Sequence, residues 1–380
     1  MTQRERQILR WIEENPMISQ QELADRAGIT RSSVAVHISN LMKKGCILGR
    51  GYVVQTAPYV AVVGGVTKDI GGTALSPLVP RDSNPGRVRI SMGGVGRNIA
   101  HNMALLGLEV TFLTAMGDDE FAHAVAAGCG QLGIDLSHAL QVPGQTSSTY
   151  LFLAGPDGEM ELAVSDMDIF RHVTPDYLAS RLNVLNRAQL IVVDTNIPEQ
   201  SIAWLCQHAT PPIFADPVST AKAGRLRPCL GRLHTIKPNR MEAQLLSGVA
   251  ITDQDSLYAA ADALLATGLH RVFISLGAEG LLAADRRGQR LLLPCYPGEM
   301  ANTTGCGDAA MAALAWAYLQ GTGLEGTARA ALAAGAVAME SPETINPAMS
   351  QQALLQRMAG NRQPHSTPAG GQNSNTEGSL

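Results

Sequence analysis

The chain has 380 residues, more than one small domain requires, and 45% of them are hydrophobic against 16% charged, a composition typical of globular domains. A net charge of −4 offers no global basis for attraction to nucleic acids, and the sequence has no apolar run long enough for a membrane span. The charged start MTQRERQILRWIEEN lacks the apolar segment of a secretory signal, and the six cysteines form no CxxC pair. We therefore expect a cytoplasmic protein with reduced thiols and no membrane partner.

Residues 1–55 predict a small helical unit of their own. Ser19 and Glu22 have the spacing of a capping box, and Gly28 is placed to end the helix that they begin. A three-residue turn then leads into a second amphipathic helix, and two helices so joined are typical of a helix-turn-helix. The following CILGRGYVV contains two β-prone runs around Gly-Arg-Gly, which suits a wing hairpin.

The charge of this unit bears on its partner. Residues 1–50 carry eight basic and five acidic side chains, a net +3, which leaves −7 for the rest of the chain. A basic cap on an acidic body suits contact with DNA phosphates, so we favour DNA as a partner of residues 1–55. The exposed candidates on the third helix are Arg31, Ser32, Ser33 and His37. The alternative is an oligomerisation or lid module whose charges are only solvated.

Residues 57–360 alternate strand-like and helix-like segments. The short β-rich runs are YVAVVGGV, VTFLTAMG, QLIVVDTN, PIFADPV, LHTIKPN and RVFISLGAEG. Buried aliphatic strands separated by helices predict an α/β fold whose mainly parallel sheet is covered on both faces. The stretches VRISMGG and TSSTYLFLAGPDGEMELAVSD instead alternate in polarity, so we predict antiparallel hairpins that form a small β-sheet lid. The polar tail, 361–380, predicts disorder.

The stretch TTGCGDAAMAALA predicts a glycine-rich turn at the start of an apolar helix. Gly305 and Gly307 carry no side chains, so backbone N–H groups at the helix start can bind an anion. Asp308 in the same turn can accept a proton from an incoming hydroxyl. Phosphoryl transfer needs both functions. Taken alone, an aspartate that caps a helix after a flexible turn explains the same residues.

Two further motifs carry related chemistry. In SMGGVGRNIAHNMALLG, Gly93 and Gly94 allow close approach of the backbone, and Asn98 can bond sugar hydroxyls. In TIKPNRMEAQLLSG, Asn239 and Glu242 lie three residues apart at a helix start, so they face the same way. Both offer oxygen atoms suited to contact with Mg²⁺ near phosphates. A helix cap explains this second pair equally well.

The turn from Gly277 to Gly280 in SLGAEGLLAAD follows a strand and suits the phosphate tail of a nucleotide. In chain order, GGVGRN, NRME, SLGAEG and TGCGD resemble the motifs of the ribokinase-like (PfkB) carbohydrate kinases over roughly 57–360. The resemblance implies a Rossmann-type sheet flanked by helices, with a β-sheet lid that closes on the sugar. It also implies ATP with Mg²⁺, and K⁺ as a candidate monovalent cation.

The resemblance implies a role for each motif residue. Asp308 becomes the general base, and the backbone of Gly305, Cys306 and Gly307 forms the anion hole. The remaining assignments are sugar binding by Asp69, Gly93, Gly94 and Asn98, ATP binding by Asn239, Gly277 and Gly280, and metal binding by Glu242 and Asn239.

Three positions depart from the usual pattern of the family. Cys306 stands where alanine is usual, and we expect the turn to persist because the hole uses backbone amides. A thiol at a helix start has a lowered pKa, which opens it to oxidation. Thr67 stands where an asparagine commonly precedes Asp69 by two residues. Asn302 occupies a position where a ligand of the monovalent cation is often acidic.

Within the family the chain resembles the bacterial pseudouridine kinases most closely. The stretches concerned are SNPGRVRISMGGVGRNIAHNMALLG, DGEMELAVSDMDI, FADPVS and LHTIKPNRMEAQLLSG. This likeness implies phosphorylation of the 5′-hydroxyl of a ribosyl nucleoside. A broader nucleoside or sugar kinase, and a DNA-binding regulator whose kinase-like body senses a sugar, stay open as alternatives. A homodimer is also expected, because the lid sheet often forms a dimer interface in this family.

Overall fold

The computed structural model of the protein describes residues 1–15, 18–47 and 58–360. The chain divides into two compact units, Met1–Ala57 and Pro58–Leu380. The predicted wing hairpin and the predicted disorder of 361–380 lie outside the described residues. No helix within the described ranges is long and apolar enough to cross a membrane.

The first unit contains three helices, α1 (Gln3–Glu14), α2 (Gln20–Ala27) and α3 (Arg31–Lys43). The predicted capping box of α2 is confirmed, because Ser19 Oγ accepts from Glu22 N at 3.1 Å and Glu22 Oε2 accepts from Ser19 N at 2.9 Å. Gly28 ends α2 with a left-handed φ of 62°. The buried core of the unit consists of Ile8, Leu23, Ala24, Val34, Ile38 and Leu41.

The second unit alternates strands and helices, as the hydrophobic pattern predicts. Its strands are β1 (Val60–Val63), β2 (Thr67–Ala74), β3 (Gly86–Gly93), β4 (Val110–Leu113), β5 (Ala115–Met116), β6 (Leu140–Gln141), β7 (Thr149–Ala154), β8 (Met160–Asp166), β9 (Leu190–Asp194), β10 (Ile213–Asp216), β11 (Thr235–Ile236), β12 (Arg271–Ser275), β13 (Leu281–Asp285) and β14 (Arg290–Leu293). Its α-helices are α4 (Val95–Leu105), α5 (Glu120–Gln131), α6 (Pro175–Ser180), α7 (Leu182–Arg187), α8 (Glu199–His208), α9 (Thr220–Ala223), α10 (Arg240–Ser247), α11 (Gln254–Ala266), α12 (Cys306–Leu319), α13 (Leu324–Met339) and α14 (Gln351–Gly360). Short 3₁₀ helices span Asp168–His172, Gly224–Arg232 and Gly277–Glu279.

The large sheet has the strand order β14-β13-β12-β11-β10-β9-β1-β4. The six strands from β4 to β12 are parallel, and β13 and β14 add an antiparallel edge. Side chains of β1 alternate between two cores, one shared with α4, α12 and α13 and the other with α8, α10 and α11. The predicted cover on both faces of the sheet is therefore confirmed.

The chain order of the strands places a crevice beside β1. After β1 the chain continues to β4 on one side, and it later returns to β9 on the other side. The helices that follow β1 and β9, α4 and α8, therefore lie on opposite faces of the sheet. Open α/β sheets bind ligands at such a point, at the carboxyl edge of the strands.

A separate four-stranded sheet, β3-β2-β7-β8, forms the predicted lid. The hairpin of β7 and β8 is antiparallel and turns at Gly158 with φ 85°, as predicted. The central pair, β2 and β7, is parallel, which the prediction of hairpins alone did not include. Parallel neighbours need a long crossover, and here the chain passes through the body between them.

The two faces of the lid differ in polarity. Asp69 lies opposite Ser91, and Gly71 lies opposite Arg89, so these residues share one face. We call the other side the outer lid face, and six of its large apolar residues are 37–73% exposed. They are Val88, Ile90, Leu151, Leu153, Leu162 and Val164.

Candidate active site

Helix α12 begins without a side-chain cap. Its N-cap is Gly305, with φ 85°, and among the described residues no side chain accepts from its first turn. A Cβ atom on Gly305 would collide with the carbonyl oxygen of Thr344, so only glycine fits here. The first N–H groups of an α-helix have no helical acceptor, and together with the helix dipole they form an anion-binding site. We call residues 305–308 the anion turn.

Asp308 is the third residue of α12 and is half-buried. Its Oδ2 accepts a hydrogen bond from Asn98 Nδ2 at 2.9 Å. Burial, with repulsion from Asp216 as the next cause, raises the pKa of Asp308 to about 7, although Asn98 and Lys237 oppose the shift. A carboxylate with a pKa near the working pH is suited to general base catalysis.

A buried ion pair lies beside the anion turn. Lys237 Nζ is 3.2 Å from Asp216 Oδ2, and both side chains are less than a tenth exposed. Burial alone would lower the pKa of Lys237, but the surrounding carboxylates, Asp216 foremost, raise it above its usual value. A Cβ atom on Gly307 would lie 3.3 Å from Lys237 Nζ, so the ammonium group adjoins the turn.

The loops after β1 and β9 meet through a buried carboxylate. Asp194 Oδ2 accepts from Gly65 N at 2.8 Å, and its Oδ1 accepts from Asn196 N at 2.7 Å. Gly64 and Gly96 approach so closely that a Cβ on either would overlap Asp194 or the facing backbone. Burial raises the pKa of Asp194, and repulsion from Asp216 adds to this. Asp194 and Asp216 also lie close enough to Asp308 to raise its pKa, so three carboxylates from distant positions converge near the anion turn.

The predicted sugar-binding residues lie along the start of α4 and the inner side of the lid. Gly94 is the N-cap of α4, with φ 94°, and Gly93 lies directly against the carboxylate of Asp69. Burial raises the pKa of Asp69, while the Thr67 hydroxyl and the charge of Arg97 oppose that rise. The Asn98 amide is engaged with Asp308 rather than turned toward Asp69.

Asn239 and Glu242 form a reciprocal helix cap. Asn239 Oδ1 accepts from Glu242 N, and Glu242 Oε2 accepts from Asn239 N, both at 2.9 Å. The helix-cap alternative is therefore confirmed for Asn239 Oδ1 and Glu242 Oε2. Burial raises the pKa of Glu242, and Asp216 adds to this, against the Asn239 amide and Lys237. Among the described residues no three His, Cys, Asp or Glu side chains form a ready metal site.

The predicted nucleotide turn follows β12 as a short 3₁₀ helix. Gly277 and Gly280 both have positive φ, at 62° and 105°. A Cβ on Gly280 would collide with the carbonyl oxygen of Leu293, whereas Gly277 has open space around its Cα among the described atoms. Cys295 Sγ lies 3.2 Å from the carbonyl oxygen of Gly277.

The thiol of Cys306 differs from the expectation for a helix start. Burial raises its pKa, and the negative charge of Asp308 raises it further. The prediction of a lowered pKa is therefore wrong, because a neighbouring carboxylate and desolvation outweigh the helix dipole. Asn302 is part of the same turn, where its Oδ1 accepts from Thr304 N at 2.9 Å.

Sequence reasoning missed several polar residues of the crevice. Lys222 Nζ donates to Asn196 Oδ1 at 2.7 Å and contacts Met167 Sδ at 3.0 Å. Burial lowers the pKa of Lys222, although Asp194 opposes this. The sequence signal for Asn196, Asp216 and Lys222 was their position after strand-like runs, in DTN and DPVSTAK, where side chains reach the carboxyl edge of a parallel sheet.

Comparisons with known proteins agree with this geometry. A family model described as pfkB family carbohydrate kinase matches residues 57–351, and a winged helix-turn-helix DNA-binding model matches residues 1–47. The chain is 36% identical to the uncharacterised sugar kinase YeiI of Escherichia coli (strain K12), over 92% of this chain and 97% of that protein. It is 37% identical to the pseudouridine kinase of the same organism, over 77% of this chain and 94% of that protein.

A solved structure shows the fold independently. Arabidopsis thaliana ribokinase complexed with ribose and ATP superposes with a TM-score of 0.71, over 80% of this chain and 99% of that one, at 19% identity. This likeness shows the fold alone, and it confirms the predicted ribokinase-like α/β architecture.

Proposed function

The chain belongs to the pfkB family of carbohydrate kinases, and from this premise we propose that it transfers phosphate from ATP to the 5′-hydroxyl of a ribosyl nucleoside, with pseudouridine as the first candidate. The relative called pseudouridine kinase supports this choice at 37% identity, while YeiI is equally similar and carries only the wider description of a sugar kinase.

One observation carries the proposal: the Asp308 carboxylate, bonded by Asn98 Nδ2 at 2.9 Å, lies in the first turn of a helix that has no side-chain cap among the described residues. Burial raises its pKa to about 7, which suits a general base. In this mechanism Asp308 accepts the proton of the 5′-hydroxyl as that oxygen attacks the γ-phosphorus. The bond from the new oxygen to phosphorus forms, and the bond to the β-γ bridging oxygen of ATP breaks, so ADP leaves. The backbone amides of the anion turn stabilise the charge on the transferring group.

The donor set fits a divalent cation that arrives with ATP. Asp216, Glu242 and Asp308 surround a single ammonium group, Lys237. Burial raises the pKa of both Glu242 and Asp308, and repulsion from Asp216 raises each further. We propose that Glu242, with the amide oxygen of Asn239, holds Mg²⁺ through water, as is usual for Mg²⁺ on nucleotide phosphates. Mg²⁺ would neutralise phosphate charge. Because ATP is the proposed phosphate donor, we propose that the protein acts in the cytoplasm. The side-chain amide of Asn302 bonds to Pro342 and Thr304 of this chain, and it supplies no carboxylate for a monovalent cation. K⁺ therefore stays a proposal without an acidic ligand at this position.

The crevice offers donors that ribose alone does not need. The Lys222 ammonium has three N–H groups, and its contacts within the described residues are to neutral acceptors, Asn196 and Met167. No carboxylate of the described chain lies within ion-pair distance of it. A cation so placed suits the carbonyl oxygens of a pyrimidine-dione base, which favours a nucleoside over a free sugar.

A substrate panel tests the proposal. ATP consumption is measured with pseudouridine, uridine, inosine and ribose, and ³¹P NMR locates the phosphate on the product. We expect pseudouridine to give the highest kcat/KM and a 5′-phosphate. Turnover of ribose alone would contradict the nucleoside assignment. No turnover on any member, combined with ligand-dependent DNA binding, would favour the sensor alternative.

The same panel with Lys222→Met tests the base contact. We expect kcat/KM for pseudouridine to fall about tenfold or more, as for loss of a hydrogen bond to a charged group, and kcat/KM for ribose to stay unchanged. An equal loss for both substrates would show that Lys222 acts on the ribose or on the fold.

For the N-terminal unit we propose DNA binding through α3, as the family match supports. Arg31 and Ser32 are exposed at its start, and Val36 is 58% exposed on the same helix. Apolar side chains in such positions contact thymine methyl groups in a major groove. Gel shifts with the DNA upstream of the gene that encodes this protein should show binding that weakens as the salt concentration rises. An absence of binding at low salt would favour the dimerisation alternative.

For the assembly we propose a homodimer formed by the outer lid face. Six large apolar side chains exposed on one face make a patch of the kind that marks protein interfaces. A two-fold axis lets such a patch pair with itself. Sedimentation should show a dimer for the wild type and a monomer for Leu162→Glu. A dimer in that variant would exclude this face.

A further inference from the structure

An ion pair connects the lid to the chain segment that supports the anion turn. Arg89 Nη2 lies 2.5 Å from Glu343 Oε2, and the two side chains are 62% and 54% exposed. Arg89 is on β3, opposite Gly71, and therefore on the same face of the lid as Asp69. Glu343 follows α13, between Ser341 and Thr344.

The segment around Glu343 is hydrogen-bonded to residues 301–302, shortly before the anion turn, and it contacts the turn itself at Gly305. The backbone N–H groups of Ala301 and Asn302 donate to the carbonyl oxygen of Met339 at 2.8 and 3.2 Å. Asn302 Nδ2 donates to the carbonyl oxygen of Pro342 at 3.3 Å. Thr344, the residue after Glu343, presses its carbonyl oxygen against Gly305. Arg89 is therefore paired with Glu343, whose chain neighbour Thr344 contacts Gly305 at the start of α12. That helix start is the proposed phosphate site.

The cation beside the anion turn, Lys237, is fixed in place, so a second and mobile cation is needed to follow the phosphoryl group. Lys237 is buried and paired with Asp216, so it cannot follow a phosphoryl group as the group moves. The transferring group spreads negative charge over three equatorial oxygens. A guanidinium presents five N–H donors in a planar fork that matches such oxygens. An exposed ion pair is weak, so a bound triphosphate can draw Arg89 away from Glu343.

We propose that Arg89 is a catalytic arginine carried by the lid. In the absence of nucleotide it rests on Glu343, and with ATP and acceptor bound it donates hydrogen bonds to the γ-phosphoryl group during transfer. Arg89 neither gains nor loses a proton, and the bonds made and broken are those of the transfer itself. This inference rests on the proposed kinase function.

Kinetics of three variants test the role. Arg89→Met should lower kcat by about 100-fold or more, a modest share of what arginine fingers contribute elsewhere, while the Kd for pseudouridine and the melting temperature stay unchanged. Arg89→Lys should recover only part of kcat, because an ammonium is a point charge without the fork. Glu343→Gln should leave kcat within about twofold, since Glu343 only holds the resting position.

Arg87→Met is the matched control. Arg87 lies on the same strand and the same face, opposite Thr73, is exposed, and pairs with no carboxylate of the described chain. It should keep wild-type kcat. Equal losses in Arg89→Met and Glu343→Gln, with no further loss in the double variant, would show a mechanical latch and overturn the proposal. Normal kcat in Arg89→Met would overturn it as well.

Nucleotide binding decides the question without turnover. Calorimetry compares the β,γ-imido analogue of ATP with ADP, both with Mg²⁺ and saturating pseudouridine, in wild type and Arg89→Met. We expect the variant to weaken binding of the analogue about tenfold and to leave ADP unchanged, because only the analogue has a γ-phosphate. Equal affinity changes for both nucleotides would overturn the γ-phosphate contact. If the wild type phosphorylates no member of the substrate panel, the proposed function fails, and this binding comparison still tests Arg89.

Discussion

Helices α10 and α12 both begin next to Lys237, and their first turns are built in opposite ways. At α10, the side chains of Asn239 and Glu242 satisfy each other's backbone N–H groups. At α12, the N-cap is Gly305, and among the described residues no side chain takes the place of a cap. A closed helix start stabilises the fold, whereas an open one leaves donors available to a ligand. At α12 one of these donors, the Cys306 N–H group, also reaches the carbonyl oxygen of Thr303 at 3.3 Å.

The sequence motifs predicted both helix starts as parts of the site. Because the two starts are built differently, we expect substitutions in them to change different properties of the protein. Changes at α12 should affect turnover first, and changes at α10 should affect stability and cation dependence. Single substitutions and pH profiles test this contrast.

The largest effect is expected at the open start. Asp308→Asn should lower kcat by at least about 10³-fold, because it removes the proton acceptor while keeping the shape of the side chain. The Kd for the nucleoside, measured by calorimetry, should stay within about threefold. Near-normal turnover in this variant would show that another group serves as the base.

Gly305→Ala should abolish most activity and also destabilise the fold. The new Cβ collides with Thr344, and the residue must keep a positive φ. Gly248→Ala, at the end of α10, is the matched control, since it has φ 74° and no described atom within 4 Å of the new Cβ. It should cost about 1 kcal/mol in unfolding free energy and leave kcat unchanged. Similar kcat in both variants would remove the special role of the anion turn.

The pKa of Asp308 predicts how activity depends on pH. Because this pKa is raised to about 7, kcat/KM should fall about tenfold for each pH unit below 7 and level off above it. The profile of kcat/KM for the nucleoside measures this directly. A flat profile between pH 5 and pH 7 would contradict a base with that pKa.

The same shift predicts an effect on stability. The folded-state pKa lies above the unfolded value of about 3.9, so ionisation of Asp308 opposes folding. The protein gains stability from this group as the pH falls from about 7 toward 4, and the cost is complete above pH 7. Asp308→Asn should therefore raise the melting temperature at pH 8 and change it little at pH 4. An equal gain at both pH values would show that charge is not the cause.

A smaller effect is expected at the closed start. Glu242→Gln keeps an oxygen for the helix cap but removes the charge, so the melting temperature should change little and the Mg²⁺ concentration for half-maximal rate should rise several-fold. Asn239→Ala should instead cost about 1 kcal/mol in unfolding free energy, because the cap is lost. An unchanged Mg²⁺ requirement in Glu242→Gln would leave this pair with a structural role only.

The smallest effect is expected for Cys306→Ala. In the proposed mechanism only the backbone amide of this residue takes part, and the raised pKa keeps the thiol protonated at neutral pH. Activity should stay within about twofold of wild type, and treatment with a thiol-alkylating reagent should be slow at pH 7. A large loss in this variant would mean that the side chain itself takes part.

Local patterns were enough to predict much of this protein. Hydrophobic alternation, capping residues and glycine stops act over a few neighbouring residues, so the succession of strands and helices, the cap of α2 and the glycine turn before α12 could be predicted from the sequence. The motif order was sufficient for the family resemblance, which the family model over 57–351 confirms.

The chemistry of the site depends on residues that are far apart in the chain. Asp194, Asp216 and Asp308 end or begin different elements. Burial of Asp308 in the folded chain, with repulsion from Asp216 and Asp194, raises its pKa against the opposing effects of Asn98 and Lys237. The contact of Asn98 with Asp308, the parallel pairing of β2 with β7 and the apolar outer lid face likewise arise from long-range packing. Burial and charge interactions are properties of three-dimensional neighbours, so no local pattern in the sequence contains them.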